Sequence, residues 1–84
     1  MLIILGIMKT QQTIQRFNCK KLRAARLAKN ISQENMVSML YGSGNLMART
    51  TLVNYERGFT EPRISDLLAI SRILGCKVEY FFEP

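Results

Sequence analysis

Short stretches of helical apolar spacing, each cut off by a residue that stops a helix, constrain this chain more than any other feature of its sequence. Asn18 is a strong helix-start residue, and Cys19, Leu22, Ala25, Arg26 and Lys29 then recur at helical spacing until Asn30, which tolerates a left-handed backbone. Ala24, Ala25 and Ala28 raise helix propensity in the same stretch. Ser32 predicts the N-cap of a second helix, with Gln33 and Glu34 in its first turn and Met36, Val37 and Leu40 as its inner stripe. Residues 41–45 (Tyr, Gly, Ser, Gly, Asn) read as a loop by composition. Helical spacing resumes over residues 46–57, with Leu52, Tyr55 and Met47 facing inward and Gly58 as terminator. Thr60, Glu61 and Pro62 form a turn. Ile64, Leu67, Leu68, Ile70, Ile73 and Leu74 then give a broad stripe ending at Gly75, and residues 78–82 supply a last short helix. The pattern predicts an all-α, compact five-helix bundle with Met36, Leu40, Leu52, Tyr55, Ile64, Leu67, Leu68 and Phe81 as core.

Composition narrows what such a bundle can do. With 84 residues, 48% of them hydrophobic and 21% charged, the chain suits one ordered domain near the size at which a single core becomes marginal. It has no His, which removes the commonest general base and metal ligand. Cys19 and Cys76 are too far apart for a CxxC, lack a His partner, and read as free thiols in a reducing cytoplasm. No nucleophile–base pair and no glycine-rich phosphate loop is present, so the expectation is no enzyme, no cofactor and no metal. The formal charge of +6 is carried entirely by residues 9–35, where seven basic residues face one acidic; residues 36–84 hold five of each. A one-sided excess of this kind points to a polyanionic partner, nucleic acid before a membrane surface. Residues 1–8 are apolar but too short to span a bilayer and lack a signal peptide's basic lead. Two readings of them stand: an added strand that pairs with another element or another copy, or a dispensable segment before a working start at Met8 and Lys9.

The order of particular residues is more specific. Lys21, Leu22, Arg23, Ala24, Ala25 and Arg26 are followed by Ile31, Ser32, Gln33 and Glu34, then by Thr51-Leu52-Val53-Asn54-Tyr55-Glu56-Arg57-Gly58. Glu61-Pro62, Leu67-Leu68-Ala69-Ile70 and Ile73-Leu74-Gly75 complete the series. Over residues 18–82 the chain resembles the Cro/phage-repressor type (lambda-repressor-like) of helix-turn-helix DNA-binding domain. The resemblance implies a third helix that enters the major groove, with Arg49, Thr50 and Asn54 toward base edges. The chemistry of these side chains fits, with Arg matching the O6/N7 edge of guanine, Asn the N6/N7 edge of adenine, and Thr a base edge or thymine methyl. The resemblance also implies phosphate contacts from Gln33, Thr51, Arg57 and Arg63, and an ion pair, Arg26 with Glu56, between the first and third helices. Lys20, Lys21 and Arg23 would add a longer-range field.

Three features depart from the family's pattern. Residues 41–45 lengthen the link between the second and third helices, Val37 stands where a small residue is usual, and Ala48 replaces the usual Ser or Thr cap. An earlier start of the third helix, capped by Asn45, would reconcile them. The resemblance then implies an N-terminal extension over residues 1–17 (apolar run 1–8, polar lead-in 9–17) and a DNA-binding domain over residues 18–84. The expected partner is double-stranded DNA at a near-palindromic operator, bound by a homodimer in the cytoplasm, with no membrane and no small-molecule ligand. Tyr80, Phe81 and Phe82 or the apolar N-terminal run would supply the dimer contact. The alternative is a protein-interaction or antitoxin-like module on the same scaffold, without base readout.

Overall fold

The structure, a computed structural model, describes residues 16–83; residues 1–15, which hold the apolar run and most of the polar lead-in, lie outside it. Within the described residues four α-helices follow one another: α1 (Cys19–Ala28), α2 (Gln33–Gly42), α3 (Arg49–Arg57) and α4 (Ile64–Leu74). The fifth expected helix is a single 3₁₀ stretch, Val78–Phe82. No strand occurs among the described residues.

The chemistry of the helix ends accounts for most boundaries. The Asn18 side chain accepts the Lys20 N–H at 3.1 Å and so caps α1, and the Ser32 hydroxyl accepts the Asn35 N–H at 3.0 Å and caps α2. Asn30 turns the chain out of α1 with φ +59°, and Gly58 and Gly75 end α3 and α4 in the left-handed region. Gly58 is needed twice over: its φ is +79°, and a Cβ there would lie 3.1 Å from the Cys19 sulfur.

Two boundaries differ from the expectation. Tyr41 and Gly42 belong to α2 rather than to a loop, because the last carbonyls of the helix find partners further on. Ser43 donates its hydroxyl to the Leu40 carbonyl at 2.8 Å, and the Asn45 N–H donates to the same carbonyl at 2.9 Å. Nor does α3 start early under an Asn45 cap. The Asn45 amide donates instead to the Ser65 carbonyl at the head of α4, while buried Met47 draws the link into the core. The helix begins at Arg49, Ala48 occupies the cap position, and no side chain caps it.

Leu22, Met36, Leu40, Leu52, Leu67, Ile70 and Phe81 form the fully buried centre. Met47, Tyr55 and Leu74 close around it. Val37 is half-buried and packs against this cluster. Ile64 and Leu68, expected in the core, are instead exposed, Ile64 at 67%. On α4 the buried positions are Leu67, Ala69, Ile70, Ser71 and Leu74, so Ile64 and Leu68, four residues apart, share its outer flank. Phe81 takes the expected core position, which removes it from the expected dimer contact. Phe81 is wholly buried, and Phe17 packs its ring 6.4 Å from that of Phe81 and 6.2 Å from that of Phe82. The Asn18 N–H donates to the Phe81 carbonyl at 2.7 Å, tying the start of α1 to the end of the chain. Phe81 is therefore unavailable as a dimer contact. Lys21 is likewise committed within the fold, 3.3 Å from the Glu83 carboxylate and 4.4 Å from the centroid of the Tyr80 ring.

Candidate nucleic-acid interface

The orientation of α3 is set from beneath by charge. Arg26 of α1 grips Glu56 of α3 through two parallel bonds, Nε to Oε2 at 2.6 Å and Nη2 to Oε1 at 2.8 Å. Its remaining Nη1 donates to the Ile31 carbonyl at 2.7 Å, in the link between α1 and α2. Gln33, at the head of α2, donates from Nε2 to Glu56 Oε1 at 3.2 Å. The side chains of the pair are only 5% and 1% exposed, and among the described residues no buried side-chain nitrogen or oxygen lacks a partner. Two helices, α1 through Arg26 and α2 through Gln33, thus converge on one carboxylate of α3. A forked guanidinium allows little angular play, so the pair fixes direction.

On the same inward side, α3 is also held by Leu52 and Tyr55. The Tyr55 hydroxyl donates to Asp66 Oδ2 of α4 at 2.6 Å. Burial, together with the Asp66 carboxylate, pushes that hydroxyl above its ordinary range, so it remains a donor at neutral pH.

With Leu52, Tyr55 and Glu56 turned inward, one flank of α3 is left outward. Arg49, Thr50, Val53, Asn54 and Arg57 share it within an arc of about 140° at helical spacing. Arg49, Thr50 and Arg57 are exposed; Val53 and Asn54 are half-buried at the floor of the flank. The Arg57 guanidinium lies over the Phe59 ring, 4.8 Å from its centroid, which stiffens it at the exit of the helix. Thr51 sits toward the inner side, half-buried, and Arg63 is exposed at the cap position of α4. Gln33 is half-buried at the head of α2, beside the outward flank of α3.

The structure also brings in residues that spacing did not single out. An open notch of about 410 Å³ runs between α1 and the heads of α2 and α3, lined by Arg23, Arg26, Ser32, Gln33, Glu34 and Arg49. The first-turn N–H groups of α2 share this notch with two exposed guanidinium side chains, Arg23 and Arg49, which favour an anion, and with the Glu34 carboxylate, which opposes one. Arg23 was legible only as part of a basic stretch, because its approach to the head of α2 depends on how the helices pack. Val53 was legible from its spacing of four from both Arg49 and Arg57. Glu34 accepts a bond from Arg49, with Oε1 and Nη1 3.2 Å apart.

The head of α3 is locally unfavourable. Ala48 offers no side-chain oxygen to the first N–H groups, no acidic residue lies in the first turn, and Arg49 places a cation against the helix dipole. Replacing Ala48 by Ser should therefore raise the unfolding free energy by about 0.5–2 kcal/mol, read as a higher urea midpoint at unchanged slope. No change in midpoint would mean that those N–H groups are already satisfied.

Residues 22–81 match the model of a family described as helix-turn-helix, of the Cro/C1 type. Searches of the curated proteins and of the solved structures find no match. No helix among the described residues is long and apolar enough to cross a membrane.

Proposed function

Because the chain belongs to the helix-turn-helix family of the Cro/C1 type, we propose that it is a sequence-specific DNA-binding regulator, a repressor, that reads the major groove with α3. The observation that carries this reading is the outward flank of α3. It holds one Arg, one Thr and one Asn at its leading part and a second Arg at its exit, on a helix whose opposite side is clamped by a buried ion pair. In this reading Arg49, Thr50 and Asn54 contact base edges, with Val53 against a thymine methyl. Gln33, Thr51, Arg57 and Arg63 take phosphates, and Arg23 joins them across the notch. The residues that do this lie within 18–84. One such domain covers few base pairs, so two copies on a near-palindromic operator, one helical turn apart, supply the affinity.

Selection from random duplexes tests this most directly. The expected product is a near-palindrome with half-site centres about 10 base pairs apart. Asn54→Ala should weaken binding to the selected site by about 1–3 kcal/mol and relax preference at one base pair per half-site. Arg57→Ala should weaken binding to all sequences alike and lower the salt slope by about one. Undiminished binding by Asn54→Ala would remove Asn54 from the base-reading set, and a product with no shared sequence would end the regulator reading.

A second reading, a protein-interaction or antitoxin-like module, draws on Leu46, 82% exposed in the long link, and on the bare flank of Ile64 and Leu68. It predicts a salt-insensitive response to duplex DNA and a tightly co-purifying protein.

A further inference from the structure

The pair formed by Glu34 and Arg49 does nothing evident for the fold. Its side chains are 74% and 58% exposed, and pairs this open contribute little to stability because water and the entropy of two long side chains offset the attraction. Arg49 itself sits where the dipole of α3 opposes a cation, under a cap position with no capping side chain. Glu34, in contrast, stands in the first turn of α2, where that helix's dipole favours a carboxylate. A charge that the local structure disfavours is thus steadied by an acid projecting from a neighbouring helix, at the rim of the flank assigned to bases.

We propose that Glu34 is a positioning residue that aims Arg49 at guanine and so sets specificity at one base pair of each half-site; this rests on the DNA-binding reading above. A guanidinium is a rigid fork of five N–H donors. With Nη1 turned to Glu34 at 3.2 Å, the Nε–Nη2 edge is left to meet two adjacent acceptors, as O6 and N7 of guanine are. Adenine and cytosine present an amino donor toward the same edge and are refused. Glu34 acts a second way. Without it, the long Arg49 arm would swing to the nearest phosphate, which every sequence offers. Its carboxylate also repels phosphates that come too close, so it exchanges general affinity for discrimination. The contribution grows on DNA, because a closed groove excludes the water that screens the pair in the free protein.

The test begins with the site selected by the wild-type chain and compares it with duplexes changed at each guanine. Arg49→Ala identifies the pair that Arg49 reads. At that pair, Glu34→Ala should lose about tenfold in preference for guanine, with Glu34→Gln between it and wild type. Both variants should bind unrelated DNA more tightly than wild type does and unfold within a few degrees of it, the small loss being that of a first-turn carboxylate. Adding Glu34→Ala to Arg49→Ala should change nothing further at that pair, since the acid acts through the arginine. Full preference in Glu34→Ala, or a loss that adds to that of Arg49→Ala, would overturn the proposal. A selected site without guanine would overturn it and leave the regulator reading standing; the absence of any selected site would remove both.

Discussion

Removing either partner of the buried pair alone, as Arg26→Met or Glu56→Leu, should lower the unfolding free energy by about 3–5 kcal/mol, and the double variant should recover most of that loss. The asymmetry follows from where the charges lie. With side chains 5% and 1% exposed, a lone Arg26 or Glu56 would remain a charge without a counterion in a medium that solvates it poorly. Together the two groups satisfy one another through bonds of 2.6 and 2.8 Å, yet their attraction only repays what leaving water cost them. Replacing both by apolar side chains of similar volume removes the penalty along with the attraction. Domains are stable by only about 5–15 kcal/mol, so each single variant should unfold at a markedly lower urea midpoint. The double variant should then separate stability from function. Gln33 would have lost its acceptor on α3, and nothing directional would hold α3 against α1. It should therefore fold well but bind DNA more weakly than wild type. A double variant as unstable as the worse single one would show that the pair contributes net stability.

Phe81→Ala should cost about 3–5 kcal/mol, the usual range for truncating a fully buried aromatic residue. Phe81 is the largest of the fully buried side chains, and it belongs to a five-residue 3₁₀ stretch that has little cohesion of its own. Two features make it more than a terminal appendage. Its ring stands 6.4 Å from that of Phe17 and 5.6 Å from that of Tyr80, and its carbonyl receives the Asn18 N–H at 2.7 Å. The hydrogen bond survives the substitution because it is made by backbone, so the loss reports the ring alone. Phe81→Leu, which keeps most of the volume, should cost much less. Glu83→Ala, which breaks only the exposed pair with Lys21, should change stability by less than about 1 kcal/mol. Urea unfolding followed by circular dichroism makes all three comparisons. A cost below about 1 kcal/mol for Phe81→Ala would mean that the end of the chain unfolds separately from the four α-helices.

Local chemistry was legible from residue order alone. Asn18 and Ser32 cap their helices through bonds that reach only two or three residues, and Gly58 and Gly75 end theirs through a backbone conformation that other residues resist. Such effects need no distant partner. The extension of α2 through Gly42 also rests on local bonds, from Ser43 and Asn45 to the Leu40 carbonyl, whereas the start of α3 and the exposure of Ile64 and Leu68 were decided at a distance. Asn45 has the chemistry of a cap, but a carbonyl 20 residues away claims its amide, and α3 starts later under an uncapped Ala48. Ile64 and Leu68 continue an apolar stripe in sequence, but a stripe is buried only where something covers it, and the neighbouring elements meet α4 on the side of Leu67, Ile70 and Leu74.

The candidate interface divides in the same way. The order of residues determined that α3 would be a helix with a polar flank, and which residue types that flank would offer, because spacing along one helix is a property of the backbone. Only the tertiary structure decided what steadies the flank and what surrounds it. The bond from Arg49 to Glu34, the approach of Arg23 to the head of α2, and the convergence of Arg26, Gln33 and Glu56 join residues 15 to 30 positions apart or lying on separate helices. Contacts of that kind depend on the angles at which helices cross. Those angles are set by the summed packing of the whole core rather than by any short run of residues.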